Sequence, residues 1–260
     1  MLARNIAAVG VLRNSDLYLL VTCFQDGVYH DLRRLVRCYR RVLPHHQASF
    51  LVSALPLHRI LFRLFNCRPR FFTSAVLDAV ISFGHADAAA FLIQKQVTPS
   101  PAAAILAAAH GHIATLNLVL EAHKSDTRIM DVAAENGHLE LIAHLDTHGL
   151  KCSPYAMDRA AGRGRLDIVS FLHQTTYATC TTIAMDLAAA NGHLEIVRFL
   201  HVHRSEGCTT DAIDDAALRG HLDVVVYLHQ SGRRGTVRAM EGAARHGHMQ
   251  IVEFLEKVRK

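Results

Sequence analysis

Tryptophan is absent from this 260-residue chain, and proline is scarce at six residues. No apolar run approaches the ~18 residues that a membrane-spanning helix needs. The longest comparable stretch, Pro101 to Ala109, is nine residues dominated by alanine. No small-residue cleavage site follows the short apolar start, so no signal peptide is read. The Arg-containing, acid-poor start leaves mitochondrial targeting as the alternative. No Cys-x-x-Cys occurs among the six cysteines, and no ligand spacing fits a metal. Phosphate-binding, zinc-protease and nucleophile-elbow motifs are missing too: there is no Gly-x-Gly-x-x-Gly, no Gly-Lys-Ser/Thr, no His-Glu-x-x-His and no Gly-x-Ser-x-Gly. An enzyme is therefore the least supported class. No catalytic residue, metal or cofactor is expected.

Lysine is absent from the first 70 residues, which carry eleven Arg and three acids, a net of +8. Residues 71–260 hold 17 basic and 20 acidic residues, a net of −3, so the basicity of the whole belongs to the N-terminal quarter. The net negative charge of residues 71–260 argues against nucleic acid as the partner. The expected setting is intracellular and cytoplasmic, with the cysteines reduced.

What the chain does have is a beat. Gly-His stands at Gly84-His85, Gly111-His112, Gly137-His138, Gly192-His193, Gly220-His221 and Gly247-His248, and Gly164-Arg165 fills the gap. The glycines are spaced by 27, 26, 27, 28, 28 and 27 residues. A period in this range marks stacked repeats, each touching mainly its neighbours. Eleven residues before each Gly stands an N-cap type: Thr73, Ser100, Asp126, Ser153, Thr181, Thr209 and Thr236. The Gly suits the left-handed residue that follows a helix. Each unit thus opens with a first helix of about ten residues. An adjacent small pair, such as Ala160-Ala161 or Ala188-Ala189, lets neighbouring helices approach. A second helix follows the Gly-His, with an apolar face such as Ile196, Val197 and Leu200.

The run Ala188-Ala189-x-x-Gly192-His193-Leu194-Glu195-Ile196-Val197-x-Phe199-Leu200, nearly repeated in six other units, resembles the ankyrin repeat. The resemblance covers about residues 71–260. Two departures matter: the units run 26–28 residues rather than 33, and the Thr-Pro-Leu-His opening is missing. Where its His would fall stand Asp78, Asp131, Asp158, Asp186, Asp214 and Glu241, with Ile105 the exception. This ladder reads as local helix stabilisation or as solubility. The shortened period implies hairpins reduced to tight loops. The expected fold is all-α, an ankyrin-like solenoid of stacked helix-turn-helix repeats. Cys152, Cys180 and Cys208 share one position in successive repeats, and His173, His201 and His229 share another. Both sets read as scaffold features.

Residues 46–260 are assigned to the array, with a degenerate first unit in which Ser53-Ala54, Leu57-His58 and Leu61 to Phe65 match the pattern. Residues 1–45 are read as an N-terminal helical cap, with Asp16 to Phe24 as one helix and Asp31 to Leu43 as another. The order Leu12, Leu17, Leu19-Leu20, Phe24, Asp31-Leu32, Leu35, Cys38, Arg40-Arg41 also resembles an F-box. The resemblance lacks the Leu-Pro opening and the Trp. It implies, as the alternative function, a substrate receptor of a ubiquitin ligase.

The leading expectation is a non-catalytic, monomeric scaffold. It would hold a protein partner on the concave face lined by the first helices. The candidate contact residues, at positions free of packing duty, are Arg159, Arg163, Leu187, Asp215, Leu218, Arg219 and Arg245.

Overall fold

The protein's structure, a computed structural model, describes residues 24–25, 28–29, 65, 69–123, 125–175 and 177–259. The F-box-like segment, the Arg-rich helix, the 1–45 boundary and most of the degenerate unit therefore lie outside the described residues. The chain divides into two compact units, Met1–Lys124 and Ser125–Lys260, and each is described by itself.

In the first unit, β1 (Phe24–Gln25) pairs antiparallel with β2 (Val28–Tyr29), Phe24 opposite Tyr29 and Gln25 opposite Val28. Phe24, read from its apolar spacing as a helix end, is thus in a strand. The two strands are joined by Asp26-Gly27, a dipeptide that favours two-residue hairpin connections. After a 3₁₀ turn at Pro69–Phe71 come α1 (Ser74–Ser82), α2 (Ala86–Gln94), α3 (Ala103–Ala109) and α4 (Ile113–Val119), which runs into a second 3₁₀ turn at Leu120–His123. The helices form two pairs, α1 with α2 and α3 with α4, and α1 packs on α3 while α2 packs on α4. Phe65, one residue of the degenerate unit, meets the rings of Phe72 at 5.3 Å and Phe91 at 5.6 Å. Thr115 is fully buried; its hydroxyl bonds the carbonyls of Ile81 at 3.3 Å and His112 at 3.1 Å.

The second unit contains five pairs: α5 (Arg128–Asn136) with α6 (Leu139–Thr147), α7 (Pro154–Gly162) with α8 (Leu166–Gln174), α9 (Thr182–Ala190) with α10 (Leu194–His203), α11 (Asp211–Arg219) with α12 (Leu222–Gln230), and α13 (Val237–Arg245) with α14 (Met249–Arg259). Each first helix packs closely on the next first helix, whereas successive second helices touch sparsely. The alanine pairs are why. Ala133, Ala134, Ala160, Ala161, Ala188, Ala189, Ala216 and Ala217 are all fully buried. With no side chain beyond Cβ, facing helices can close together. The core is completed by Met130, Met157 and Ile213 from the first helices and by Ile168, Val169, Val197 and Leu200 from the second.

Both ends of the first helices follow from sequence chemistry. The hydroxyls of Ser153, Thr181 and Thr236 accept the backbone N–H two residues on. Ser100, Asp126 and Thr209 do the same just ahead of their helices. Thr73 stands at its cap position without a side-chain bond. At the other end Gly192 (φ +76°) donates to Ala189 O at 3.1 Å, and His193 donates to Ala188 O at 2.9 Å. This is the paired closure of a helix by a left-handed residue. The second helix then starts at the residue after the His. No strand follows Tyr29 among the described residues, so the connectors between pairs are short loops. No described helix is long and apolar enough to cross a membrane.

Candidate functional site

The acidic ladder ties one repeat to the next. Asp131 accepts from the backbone N–H and hydroxyl of Ser153 at 2.9 and 2.6 Å. Asp158 does so from Thr181 at 2.8 and 2.8 Å, Asp186 from Thr209 at 2.8 and 2.9 Å, and Asp214 from Thr236 at 2.7 and 2.6 Å. Asp78 makes one such bond, to Ser100 N–H at 3.1 Å. The carboxylate therefore orders the residue that caps the following helix. Solubility is not its role, since Asp158 and Asp214 are buried at 1% and 2% exposure. Burial raises the carboxyl pKa of Asp131, Asp158 and Asp186 above the ordinary value, against the opposing pull of the hydrogen bonds.

The histidine beat has a matching function. The ring of His221 lies over Gly192, where a Cβ would come within 2.6 Å of it. His193 lies likewise over Gly164, His248 over Gly220, and Arg165 over Gly137. His173, His201 and His229 sit edge-on to Phe199, Tyr227 and Phe254 of the next second helix. Cys152, Cys180 and Cys208 are free thiols. Burial pushes Cys152 and Cys180 up to about 11, so they are protonated and unreactive at neutral pH. Among the described residues no group of three or more His, Cys, Asp or Glu could hold a metal ion.

With the ladders committed to packing, the exposed face of the first helices in the second unit is what remains for contact. Arg159, Arg163 and Leu187 line one open recess of about 420 Å³, together with Gly162, Asn191 and His193. Glu135 of α5 holds the Arg163 guanidinium at 3.0 Å and lies 3.8 Å from that of Arg159. Leu187 leans on Gly162, where an added Cβ would sit 3.0 Å from Leu187 Cβ. Arg219 reaches the same group: it donates to Asn191 Oδ1 at 2.6 Å, and Asn191 donates to Gly162 O at 2.9 Å. Leu218 packs against Gly242 in the same manner one repeat on. Asp215 is half-buried three residues before Leu218, and Arg245 is exposed at the end of α13. Neither enters the recess.

The sequence reading missed the residues nine before each Gly. Tyr155 is 61% exposed and Ile183 45%. Each stands one helical turn before a strip residue, Arg159 and Leu187, and so shares its face. The clue was available: at this register Arg128, Asp211 and Arg238 are charged, so an apolar residue there is out of phase with the core. The face therefore changes character by repeat. It is basic and aromatic on α7 and its cap (Tyr155, Arg159, Arg163), aliphatic on α9 (Ile183, Leu187) and of mixed charge on α11 (Asp211, Asp215, Arg219), where Asp211 also pairs with Arg238 at 3.3 Å.

Residues 185–229 match the family model described as ankyrin repeats (many copies). That stretch is ankyrin repeat, and the helix pairs on either side of it repeat the same architecture. The crystal structure of the human ASB11 ankyrin repeat domain resembles it with a TM-score of 0.53, at 17% sequence identity, over 69% of this chain and 96% of that one. That likeness speaks to the fold. No curated protein matches the chain significantly. Ankyrin repeats indicate a scaffold for protein–protein interaction, here with the shortened connectors noted above.

Proposed function

We propose that this ankyrin-repeat chain holds a protein partner along the exposed face of the first helices in its second unit. The observation that carries the reading is the graded face on α7, α9 and α11. It runs from Arg159 and Arg163 through Ile183 and Leu187 to the mixed charges of Asp211, Asp215 and Arg219, while the alanine faces of these helices are committed to packing. Close approach of first helices against looser second helices bends such a stack toward the first-helix side, which makes that face the inner one. Tyr155 and Arg163 supply the aromatic and guanidinium groups that dominate binding energetics. The partner segment that fits carries an acidic group and then apolar residues at successive repeats.

The test begins with affinity purification on the full chain to recover a partner. Its affinity is then measured for the native chain and for Arg159→Glu with Arg163→Glu. A loss of tenfold or more with an unchanged melting curve supports the reading. An unchanged affinity removes it.

A further inference from the structure

A second recess, of about 410 Å³, opens on the connector side of the repeat formed by α13 and α14, away from the graded face. Three features separate this repeat from its predecessors. Counted back from the turn glycine, Gly235 stands where Cys152, Cys180 and Cys208 stand, and a Cβ there would meet Ile213 Cγ2 at 2.7 Å and Asp214 Oδ1 at 2.8 Å. Met240 is half-exposed on its floor, whereas Met130, Met157 and Met185 at the same register are buried. And α14 spans eleven residues where α12 spans nine, which brings Val258 and Arg259 up as a wall.

The lining is of two kinds. Met240, Leu255 and Val258 are apolar; Arg234 and Arg259 are cationic, with His229 beside them; no carboxylate lines it. Among the described residues no acid pairs with Arg234 or Arg259. Two unneutralised guanidinium groups beside an apolar floor ask for an anion attached to a greasy group.

We infer that this recess binds a short acidic peptide segment of a partner protein, taking one apolar side chain against Met240 and Leu255 and a neighbouring carboxylate against Arg234 and Arg259. The chain's own first 70 residues, at net +8, carry the wrong charge to fill it. A nucleic-acid strand fits poorly, because no Phe, Tyr or Trp lines the recess for a base to stack on.

A displayed library of random nonapeptides is panned on the full chain. Selected peptides are then titrated against the native protein, against Arg234→Glu with Arg259→Glu, and against Arg159→Glu with Arg163→Glu. All four positions are exposed, and a melting curve verifies each fold. The expected peptides combine Asp or Glu with a large apolar residue. They should lose at least tenfold in affinity on the Arg234/Arg259 variant and keep it on the Arg159/Arg163 variant. Peptides without an acid, or with equal affinity for the Arg234/Arg259 variant, overturn the inference. So does displacement by millimolar inorganic phosphate with the apolar residue dispensable, which would mark a plain anion site.

Discussion

Asp186 accepts hydrogen bonds from both the backbone N–H and the hydroxyl of Thr209, 23 residues further on, at 2.8 and 2.9 Å. The same Thr209 hydroxyl accepts the N–H of Asp211 at 3.1 Å. One carboxylate thus holds the residue that opens the next repeat. Four such double clamps run through the second unit.

Removing one clamp leaves two donors without partners. For Asp158→Ala the backbone N–H of Thr181 and its hydroxyl lose a charged acceptor in a buried site, and the expected cost is about 2–3 kcal/mol. Thr181→Val removes only the hydroxyl bonds and should cost about half as much. Asp78→Ala loses a single bond, to Ser100, and should cost about 1 kcal/mol. Urea unfolding followed by circular dichroism measures all three. Equal effects at Asp158 and Asp78 would show that the second bond adds nothing.

The clamps at Asp131, Asp158 and Asp186 also have a pH signature, and its sign is unusual for carboxylates. Burial raises the pKa of Asp186 in the folded chain, and the nearby acids Asp211 and Asp215 raise it further. The folded state therefore holds this proton more tightly than the unfolded chain, where the value is near 3.9. Its contribution is fully present below that unfolded value and is lost as pH rises through the elevated folded one. Asp186→Asn cannot titrate, so its deficit relative to the native chain should be larger at pH 4 than at pH 7. Unfolding midpoints of the two proteins at both pH values provide the measurement; a deficit that shrinks on acidification contradicts the raised value.

Local chemistry made the fold legible. Thr181 and Ser153 cap within two residues of themselves, and Gly192 needs only its own φ, so the repeat frame could be written from sequence. The acidic ladder was read as local helix stabilisation or as solubility, and its link between repeats was missed because its partners lie 22 or 23 residues away, beyond any helical spacing. The Gly-His beat was half understood. The left-handed glycine was evident, but the ring of His221 over Gly192 is a contact between repeats that no local pattern announces. The contact strip fared similarly. Arg159, Arg163 and Leu187 come together, yet Tyr155 and Ile183, which share their face, were not singled out. Glu135 and Asn191, which hold Arg163 and Arg219, were not among the named contact residues.

Arg163 and Arg219 are both tied to neighbours on the strip, but their ties are exposed. The Arg163–Glu135 pair has 65% and 27% of its side-chain surface in water. Pairs of this kind are worth about 0–1 kcal/mol. Arg163→Glu with Arg219→Glu should therefore lower stability by no more than about 1 kcal/mol in a urea melt. A larger loss would mean that the chain Arg219, Asn191, Gly162 braces the repeats, and the strip would then be structural first.

Gly192 and Gly247 separate two demands that the turn makes. Both are left-handed, at φ +76° and +78°. A Cβ at Gly192 would meet the His221 ring at 2.6 Å, while a Cβ at Gly247 meets nothing within 4 Å. Alanine at Gly247 should therefore cost only the backbone strain, roughly 1–2 kcal/mol. Alanine at Gly192 adds displacement of a packed ring, and overpacking of this kind costs typically 1–3 kcal/mol more. Adding His221→Ala to Gly192→Ala should return the second share, since the obstructing ring is gone, whereas His221→Ala with Gly247→Ala should be additive. A double-mutant cycle on unfolding free energies reads the difference. Equal costs at the two glycines would mean that the ring swings aside freely, and that the histidine beat contributes no packing between repeats.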